Sequence, residues 1–265
     1  AATWDPALEE RVGVAIGAET RARGANYSAS VCVNLLRHPA WGRAQECYGE
    51  DPVLVGQMGS ALTRGVRVHT MACVKHFALN SMENERFEVD VAVDDHAVVD
   101  AGADSVMSAY NKVRGEYMDV NRALLTDVLR DEWGFTGFVT SDWVFGTHDA
   151  VGSLQAGMDI EMPLRMLRAR ALPAALRRGE LDRATVVQAA HRILRTSVLH
   201  AATREKQEPN GAVIASAEHR ALALQAAAES IVLLKNDAVG EAPLLPLAPG
   251  TRRLAVIGRL ADEAN

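Results

Sequence analysis

Short apolar runs alternate with amphipathic segments along the first 200 residues. The runs span four to six residues, are rich in Val, Ala, Cys and Met, and end in polar or charged side chains. Helical periodicity fills the intervals between them, a pattern typical of βα units and a parallel sheet. We therefore predict an α/β fold. The runs end within these ranges: 31–36, 71–76, 105–110, 137–142 and 158–161.

Polar groups at the ends of strands favour a (β/α)8 TIM-like barrel. Because a closed barrel has eight strands and five runs are apparent, we expect the barrel to be incomplete in this sequence. The helices predicted between the runs are 6–23, 52–66, one beginning at Asn121, 163–178 and 182–199. The alternating segment 87–93 predicts a half-exposed strand, and 96–101 a brief helix.

A change of pattern near residue 200 predicts a domain boundary. Residues 200–215 are polar, lack periodicity and centre on Glu-Pro-Asn-Gly, which is typical of a linker. A helix at 216–229, a strand at 231–234, a Pro-rich turn and an apolar run at 253–258 follow. We predict a barrel domain over 1–199 and the beginning of an α/β sandwich domain over 216–265.

Composition narrows the classes of partner. A net charge of −6 and a pI near 5.8 argue against nucleic-acid binding. The chain has no apolar run of about 18 residues, so no membrane span is expected. The first residues lack a basic segment and an apolar core, so we expect no signal peptide and favour a cytoplasmic location. Cys32, Cys47 and Cys73 form no CxxC pair and are predicted to be free thiols.

Asp142 and Trp143 end the apolar run that begins at Gly137. In barrels and open α/β sheets the chemistry is located at the carboxyl ends of the strands. A carboxylate beside a large flat aromatic side chain suits a sugar, because the ring stacks on the indole while the carboxylate meets the reacting carbon. The alternative, that Asp142 caps the following helix, stays open at this point.

The other strand ends supply cations and aromatic groups. Such a set can hydrogen-bond many hydroxyl groups at once, which favours a polyol substrate. No Gly-rich phosphate loop or metal-ligand spacing accompanies it, so we predict neither cofactor nor metal. A strand-end lysine such as Lys75 also permits a Schiff-base lyase, the less favoured alternative. The candidates are Arg37, Arg43, Lys75, His76, Arg86, Met107, Tyr110, Asp142, Trp143, Asp159 and Glu161.

Several of these residues lie in ordered motifs. The segments RHPAWGR (37–43) and ECYGEDP (46–52) resemble the RDPRWGR…E-x-YGEDP signature of glycoside hydrolase family 3. KHF (75–77), VMSAYN (106–111) and VTSDW (139–143) resemble its next signatures, and ESIVLLKN (229–236) resembles the start of its second domain. The resemblance covers nearly the whole chain and implies a retaining exo-β-glucosidase acting on terminal β-D-glucosyl residues.

The resemblance also implies roles for individual residues. Asp142 matches the nucleophile, and Lys75 and Arg43 are expected to hold its pKa down. Arg43, Lys75 and His76 match groups that bind sugar hydroxyls. The resemblance further implies that Arg86 and Tyr110 line the pocket, that Tyr110 can also orient the nucleophile, that Trp143 forms a sugar-stacking wall and that Met107 packs there. The residues themselves, apart from the resemblance, favour structural roles for the other acidic side chains: loop salt bridges and a helix cap for Glu46, Glu50 and Asp51, and barrel-end structure for Asp159 and Glu161.

Three departures from the family pattern keep a rival hypothesis open. A sugar-binding Asp expected before Trp4 is not supplied, and the crossover near 94–102 is about a dozen residues short. The general acid/base has no motif in 216–265, and KHFALNS (75–81) differs from the KHFPGHG-type loop that supplies a His in one branch. The rival is a non-catalytic sugar-binding remnant or fragment. Glucosidase and xylosidase activity are not separated, and exposed apolar surface favours homo-oligomers.

Overall fold

The computed structural model describes residues 2–91, 103–203, 210–240, 242–258 and 261. The chain divides into two compact units, Ala1–Ser230 and Ile231–Asn265. The helix predicted at 96–101, the end of the strand predicted at 87–93 and part of the linker lie outside the described residues. The domain boundaries near 199 and 216 stay a prediction.

A parallel sheet forms the centre of the first unit. Its strands are β1 (Tyr27–Cys32), β2 (Met71–Phe77), β3 (Ser105–Ser108) and β4 (Phe138–Thr140), and they lie side by side in that order. All three pairings are parallel, and Thr140 makes a further parallel bridge to Ile160 in the fifth predicted run. The predicted α/β class is therefore confirmed. The four strands form an open sheet over the described residues.

Helices α1 (Pro6–Ala22) and α2 (Pro52–Val66) pack against each other and cover one face of the sheet. The carboxylate of Asp51 caps α2 by accepting two backbone N–H bonds, at 2.7 and 3.1 Å, as predicted. The two helices approach closely because Gly65 has no side chain: a Cβ there would collide with the carbonyl oxygen of Glu10. The core beneath contains Val31, Leu62, Val66, Ala72 and Val74.

The opposite part of the core surrounds a helix between β3 and β4. The segment Ala123–Glu132 is a π-helix, and the Asn121 carboxamide accepts the N–H of Leu124 at 3.0 Å near its start. The predicted helix is present, but it is wound more loosely than an α-helix. Its buried side chains pack with those of the sheet in a cluster that includes Phe77, Val106, Met118, Leu125, Val139 and Met158.

The remaining helices of this unit are α3 (Ala150–Ala156), α4 (Leu167–Arg178), α5 (Arg183–Thr203) and α6 (Ala217–Glu229). Helix α4 begins four residues later than predicted, because the Glu161 carboxylate accepts the N–H groups of Leu167 and Arg168 and so fixes the first turn there. Short 3-10 helices span Ala44–Glu46 and Gly211–Val213. Over the described residues, no helix combines the length and apolarity needed to cross a bilayer.

A small sheet lies after β2, with strands Asp90–Val91, Lys112–Val113 and Glu116–Tyr117. The strand predicted from residue 87 begins only at Asp90, because the backbone N–H groups of Glu88 and Val89 both bond to the carbonyl of Glu85 and form a turn. The prediction of an extended segment from 87 to 89 is therefore wrong.

The second unit contains a short hairpin, Ala238–Val239 paired with Ala242–Pro243. The strands predicted at 231–234 and 253–258 do not form among the described residues. Apolar side chains in both segments, Leu234 and Ile257 among them, are exposed. A strand needs a hydrogen-bonded neighbour, and for these segments none lies in the described part of the unit.

Candidate active site

The carboxyl edge of the sheet brings the strand ends together. Because the strands are parallel, Asn34 follows β1, Lys75 and His76 end β2, Tyr110 follows β3 and Asp142 follows β4 at the same edge. The Lys75–His76 and Phe77–Ala78 peptide bonds are cis. The structure therefore brings most of the predicted site residues to one edge of the sheet, as their positions at the ends of strands led us to expect.

Asp142 follows β4, the outermost of the four strands, and is only 7% exposed. Its Oδ1 accepts the N–H of Trp143 at 2.7 Å. Its Oδ2 is buried and, among the described residues, has no hydrogen-bond partner. Helix α3 is capped by Asp149, whose carboxylate accepts the N–H of Val151 at 2.9 Å. The helix-cap alternative for Asp142 is therefore wrong.

Burial raises the pKa of Asp142, against the opposing effects of the Trp143 amide, the Tyr110 hydroxyl and the guanidinium groups of Arg43 and Arg86. The expectation that cations would hold this pKa down is therefore wrong in direction. The cations are present, but removing the carboxylate from water has the larger effect. A buried carboxylate with one unpaired oxygen and a raised pKa is a candidate functional group.

His76 faces Asp142, with its Nε2 3.7 Å from Oδ2. Burial first, and then the nearby Arg43, Lys75 and Arg86, lower its pKa well below the usual value, so the ring is neutral at pH 7. The hydrogen bonds fix its tautomer. Nδ1 lies 2.9 Å from Asn34 Oδ1, an acceptor, and Nε2 lies 2.9 Å from Arg43 Nη1, a donor. The proton is therefore on Nδ1.

Asn34 holds His76 through the backbone as well. Its Oδ1 accepts the backbone N–H of His76 at 2.9 Å, and its Nδ2 donates to the His76 carbonyl at 3.0 Å. Sequence reasoning missed Asn34, although it lies within the strand end 31–36. The signal in the sequence was a short side chain with an amide group, placed at the end of a predicted strand.

Arg43 reaches the site from the loop before α2. Its guanidinium makes a two-pronged ion pair with Glu46, at 2.7 Å for both contacts, and this pairing raises its pKa. Lys75 pairs with the same residue, since its Nζ lies 3.9 Å from the Glu46 carboxylate. Glu46 thus positions both cations, which accords with the structural role predicted for it.

Arg86 and Tyr110 form the next part of the wall. The Arg86 guanidinium lies 4.8 Å from the centroids of the Phe87 and Tyr110 rings and donates to Glu83 at 2.8 Å. The Tyr110 hydroxyl donates to the carbonyl of Trp143 at 2.6 Å. Tyr110 therefore fixes the backbone of the residue after Asp142, and its hydroxyl also acts on the Asp142 carboxylate itself.

Glu83 is a second residue that sequence reasoning missed. Its carboxylate accepts from Trp41 Nε1 at 3.0 Å and from Asn80 Nδ2 at 3.3 Å, besides Arg86. It thereby joins the loop before α2 to the loop after β2. The spacing of Glu83 and Arg86, three residues apart, was a weak signal of this ion pair.

The remaining predicted site residues differ in how deeply they are buried. Met107 is buried on β3, in register with Lys75 on β2 and with Thr140 on β4, and Trp143 is 38% exposed beside Asp142. Asp159 is buried between Arg130 and Arg192, as expected of a structural residue. Arg37 is exposed.

No group of three or more His, Cys, Asp or Glu side chains in the described part of the chain is arranged to hold a metal ion. The geometry at the sheet edge is therefore that of one buried carboxylate surrounded by hydrogen-bond donors and aromatic side chains.

Known proteins are similar to this chain in sequence and in fold. Residues 1–196 match the family model described as glycosyl hydrolase family 3 N terminal domain. A β-glucosidase of Rhizobium radiobacter is 41% identical over 100% of this chain and 33% of its own length. Thermostable β-glucosidase B of Acetivibrio thermocellus is 40% identical over 99% of the chain and 35% of its own length. The chain thus spans about a third of the length of these relatives.

Solved structures agree with the sequence comparisons. β-Glucosidase 3B from Thermotoga neapolitana, in complex with glucose, superimposes with a TM-score of 0.81 at 35% identity, covering 93% of this chain and 36% of that one. DesR, a β-glucosidase from Streptomyces venezuelae in complex with D-glucose, gives a TM-score of 0.78 at 29% identity over 89% and 33%. The family model covers well over half of the chain, and the fold agrees with it. The chain therefore belongs to glycosyl hydrolase family 3 and carries the N-terminal domain of that family.

Proposed function

We propose that this chain supplies the nucleophile half of a retaining β-glucosidase site, with Asp142 as the nucleophile. The observation that carries the proposal is the buried Oδ2 of Asp142, which lies at the carboxyl edge without a hydrogen-bond partner among the described residues. The neighbouring cations are placed to bind hydroxyl groups. The similarity to β-glucosidases supports the choice of reaction.

In the proposed reaction, Asp142 Oδ2 attacks the anomeric carbon and the bond to the leaving oxygen breaks. A covalent glycosyl-enzyme forms, and a water molecule then attacks the same carbon and restores the carboxylate. A general acid protonates the leaving group in the first step and, as a base, deprotonates the water in the second. Retaining enzymes hold this group about 5–5.5 Å from the nucleophile, and we propose that the remainder of the protein supplies it.

The substrate is proposed to be a terminal β-D-glucosyl residue. Two of the similar structures are described as complexes with glucose, and the site offers donors suited to a sugar. Lys75 has donors beyond its contact with Glu46, Arg43 lies beside it, and the half-exposed Trp143 offers a flat apolar face. The Lys75 Nζ lies 3.9 Å from the Glu46 carboxylate, and this ion-pair setting argues against a Schiff-base lyase.

The finer architecture belongs to the same proposal. We propose that the four-stranded sheet is part of a (β/α)8-like barrel and that 216–265 begins an α/β sandwich domain. The length of the relatives, about three times that of this chain, supports both. Self-association into homo-oligomers stays a prediction.

The decisive experiment is intact-mass measurement after incubation with 2-deoxy-2-fluoro-β-D-glucosyl fluoride. The ring fluorine slows both steps, while the fluoride leaving group departs without protonation, so the glycosyl-enzyme accumulates even without a general acid. We expect a mass increase of one fluoroglucosyl unit, located on Asp142 by peptide mapping.

The control is the variant Asp142→Asn, which should form no adduct. An adduct on another residue would overturn the assignment of Asp142. Failure of the wild type to form any adduct, together with glucose binding by calorimetry, would establish the sugar-binding remnant instead.

Gly146 offers a test of how strictly Asp142 must be placed. A Cβ at this position would lie 2.6 Å from the carbonyl oxygen and 2.7 Å from the amide nitrogen of Asp142. Gly146→Ala must therefore displace the backbone of the nucleophile. We expect adduct formation to slow by about 10- to 100-fold and the free energy of unfolding to fall by about 1–3 kcal/mol.

The matched control is Gly56→Ala, at an exposed position of α2 where the added Cβ meets nothing within 4 Å. This variant should react at the wild-type rate and be slightly more stable. Equal rates for Gly146→Ala and the wild type would show that Asp142 tolerates displacement.

A further inference from the structure

Two of the three cysteines lie in contact behind the Arg43 loop. The Sγ atoms of Cys32 and Cys47 are 3.5 Å apart. Cys32 is the last residue of β1 and is 2% exposed, whereas Cys47 follows the short helix Ala44–Glu46 and is partly exposed. A disulfide requires an S–S distance near 2.05 Å, so an approach of about 1.5 Å separates contact from bond.

The surroundings of the pair favour ionisation of Cys32 over that of Cys47. The hydrogen bond from the Cys47 thiol lowers the pKa of Cys32, and the charge of Lys75 acts in the same direction against burial. The same hydrogen bond raises the pKa of Cys47. Of the two sulfur atoms in contact, Cys32 is therefore the one that loses its proton more readily.

Cys73 differs in each of these respects. It is fully buried on β2, and burial raises its pKa to about 11. Among the described residues its Sγ contacts oxygen atoms rather than another thiol: it lies 3.8 Å from the Val74 carbonyl and interacts with the hydroxyls of Ser105 and Tyr27. The chain therefore contains its own unreactive thiol for comparison.

We propose that Cys32 and Cys47 form a reversible disulfide that tethers the Arg43 loop to the end of β1. The loop between the two positions carries Arg43 and Glu46, so the bond closes a short ring that includes these two site residues. The bond would restrict the movement of the backbone that carries these two side chains.

The oxidant is a low-molecular-weight disulfide. One protein thiolate attacks it, forms a mixed disulfide and displaces one reagent thiolate. The second protein sulfur loses its proton, attacks the first and displaces the other half of the reagent. Two protein thiols are oxidised to one disulfide, and one reagent disulfide is reduced to two thiols that take up the two protons.

The test counts thiols and is independent of glycosidase activity. The chain is incubated with oxidised glutathione, denatured, alkylated with N-ethylmaleimide and weighed intact. We expect three alkylated thiols before oxidation and one afterwards, with Cys32 and Cys47 joined in one cross-linked peptide pair. The melting temperature should rise by about 5 °C in the oxidised protein, since closing a loop of this length restricts the unfolded chain.

Three variants make the result specific. Cys73→Ser should still form the disulfide and retain no alkylatable thiol, whereas Cys32→Ser and Cys47→Ser should form no intramolecular disulfide and show no rise in melting temperature. Three free thiols in the oxidised wild type, or a disulfide that includes Cys73, would overturn the proposal. Circular dichroism of the reduced variants confirms that each is folded before oxidation.

Discussion

Replacing Asp142 by Asn is expected to lower kcat/KM for an aryl β-glucoside by at least about 10⁴-fold, the scale of loss when a covalent nucleophile is removed. An aryl substrate with a good leaving group makes the measurement insensitive to the general acid. Asn has nearly the same shape as Asp and can still accept the N–H of Trp143. The loss therefore reports the carboxylate charge rather than a change in packing.

The same substitution should leave the protein as stable as before, or slightly more so. Folding raises the pKa of Asp142 because the charged form is buried. The folded state therefore binds a proton more readily than the unfolded state, so ionisation of this group above its folded pKa costs stability. Removing the charge removes that cost. Loss of activity without loss of stability distinguishes a functional carboxylate from a structural one.

Asp149→Asn is the matched control, since Asp149 lies seven residues further on and caps α3. Asn is as good a helix cap as Asp, so both activity and melting temperature should stay at wild-type values. If Asp142→Asn retained turnover, Asp142 would not be the nucleophile. If it lost activity and unfolded at a lower temperature, its carboxylate would have a structural role that the geometry does not indicate.

The assembly of the site could be predicted because parallel strands impose it. Lys75, Tyr110 and Asp142 end different strands, and any parallel sheet in this order brings them to one edge. The direction of the pKa shift of Asp142 could not be predicted in the same way. It depends on how much water the folded chain excludes, which no local motif specifies.

Contacts between distant segments were likewise hidden in the sequence. Asn34 and His76 are 42 residues apart, and only the pairing of β1 with β2 brings them together. The apolar run at 231–234 shows that a strand-like composition does not by itself produce a strand. Its composition predicts a strand, but a strand also requires a partner, and in the described part of its unit it has none.

Asp159 provides the largest expected effect on stability. Its side chain is 1% exposed and pairs with Arg130 at 2.6 Å and with Arg192 at 2.9 Å. It also accepts the N–H of Val139 at 2.8 Å. One carboxylate thus joins the π-helix, α5 and β4, three elements that are distant in sequence.

Asp159→Asn is expected to lower the free energy of unfolding by about 3–5 kcal/mol, because two guanidinium groups would lose the charge that compensates their burial. Urea denaturation followed by circular dichroism measures the change. The control is Glu180→Gln, which breaks an ion pair with Arg178 of the same 2.6 Å length but on the surface. We expect no measurable shift of its denaturation midpoint, since solvent screens an exposed pair. Equal midpoints for Asp159→Asn and the wild type would mean that water reaches the pair, and α5 would then be held to the sheet by its apolar contacts alone.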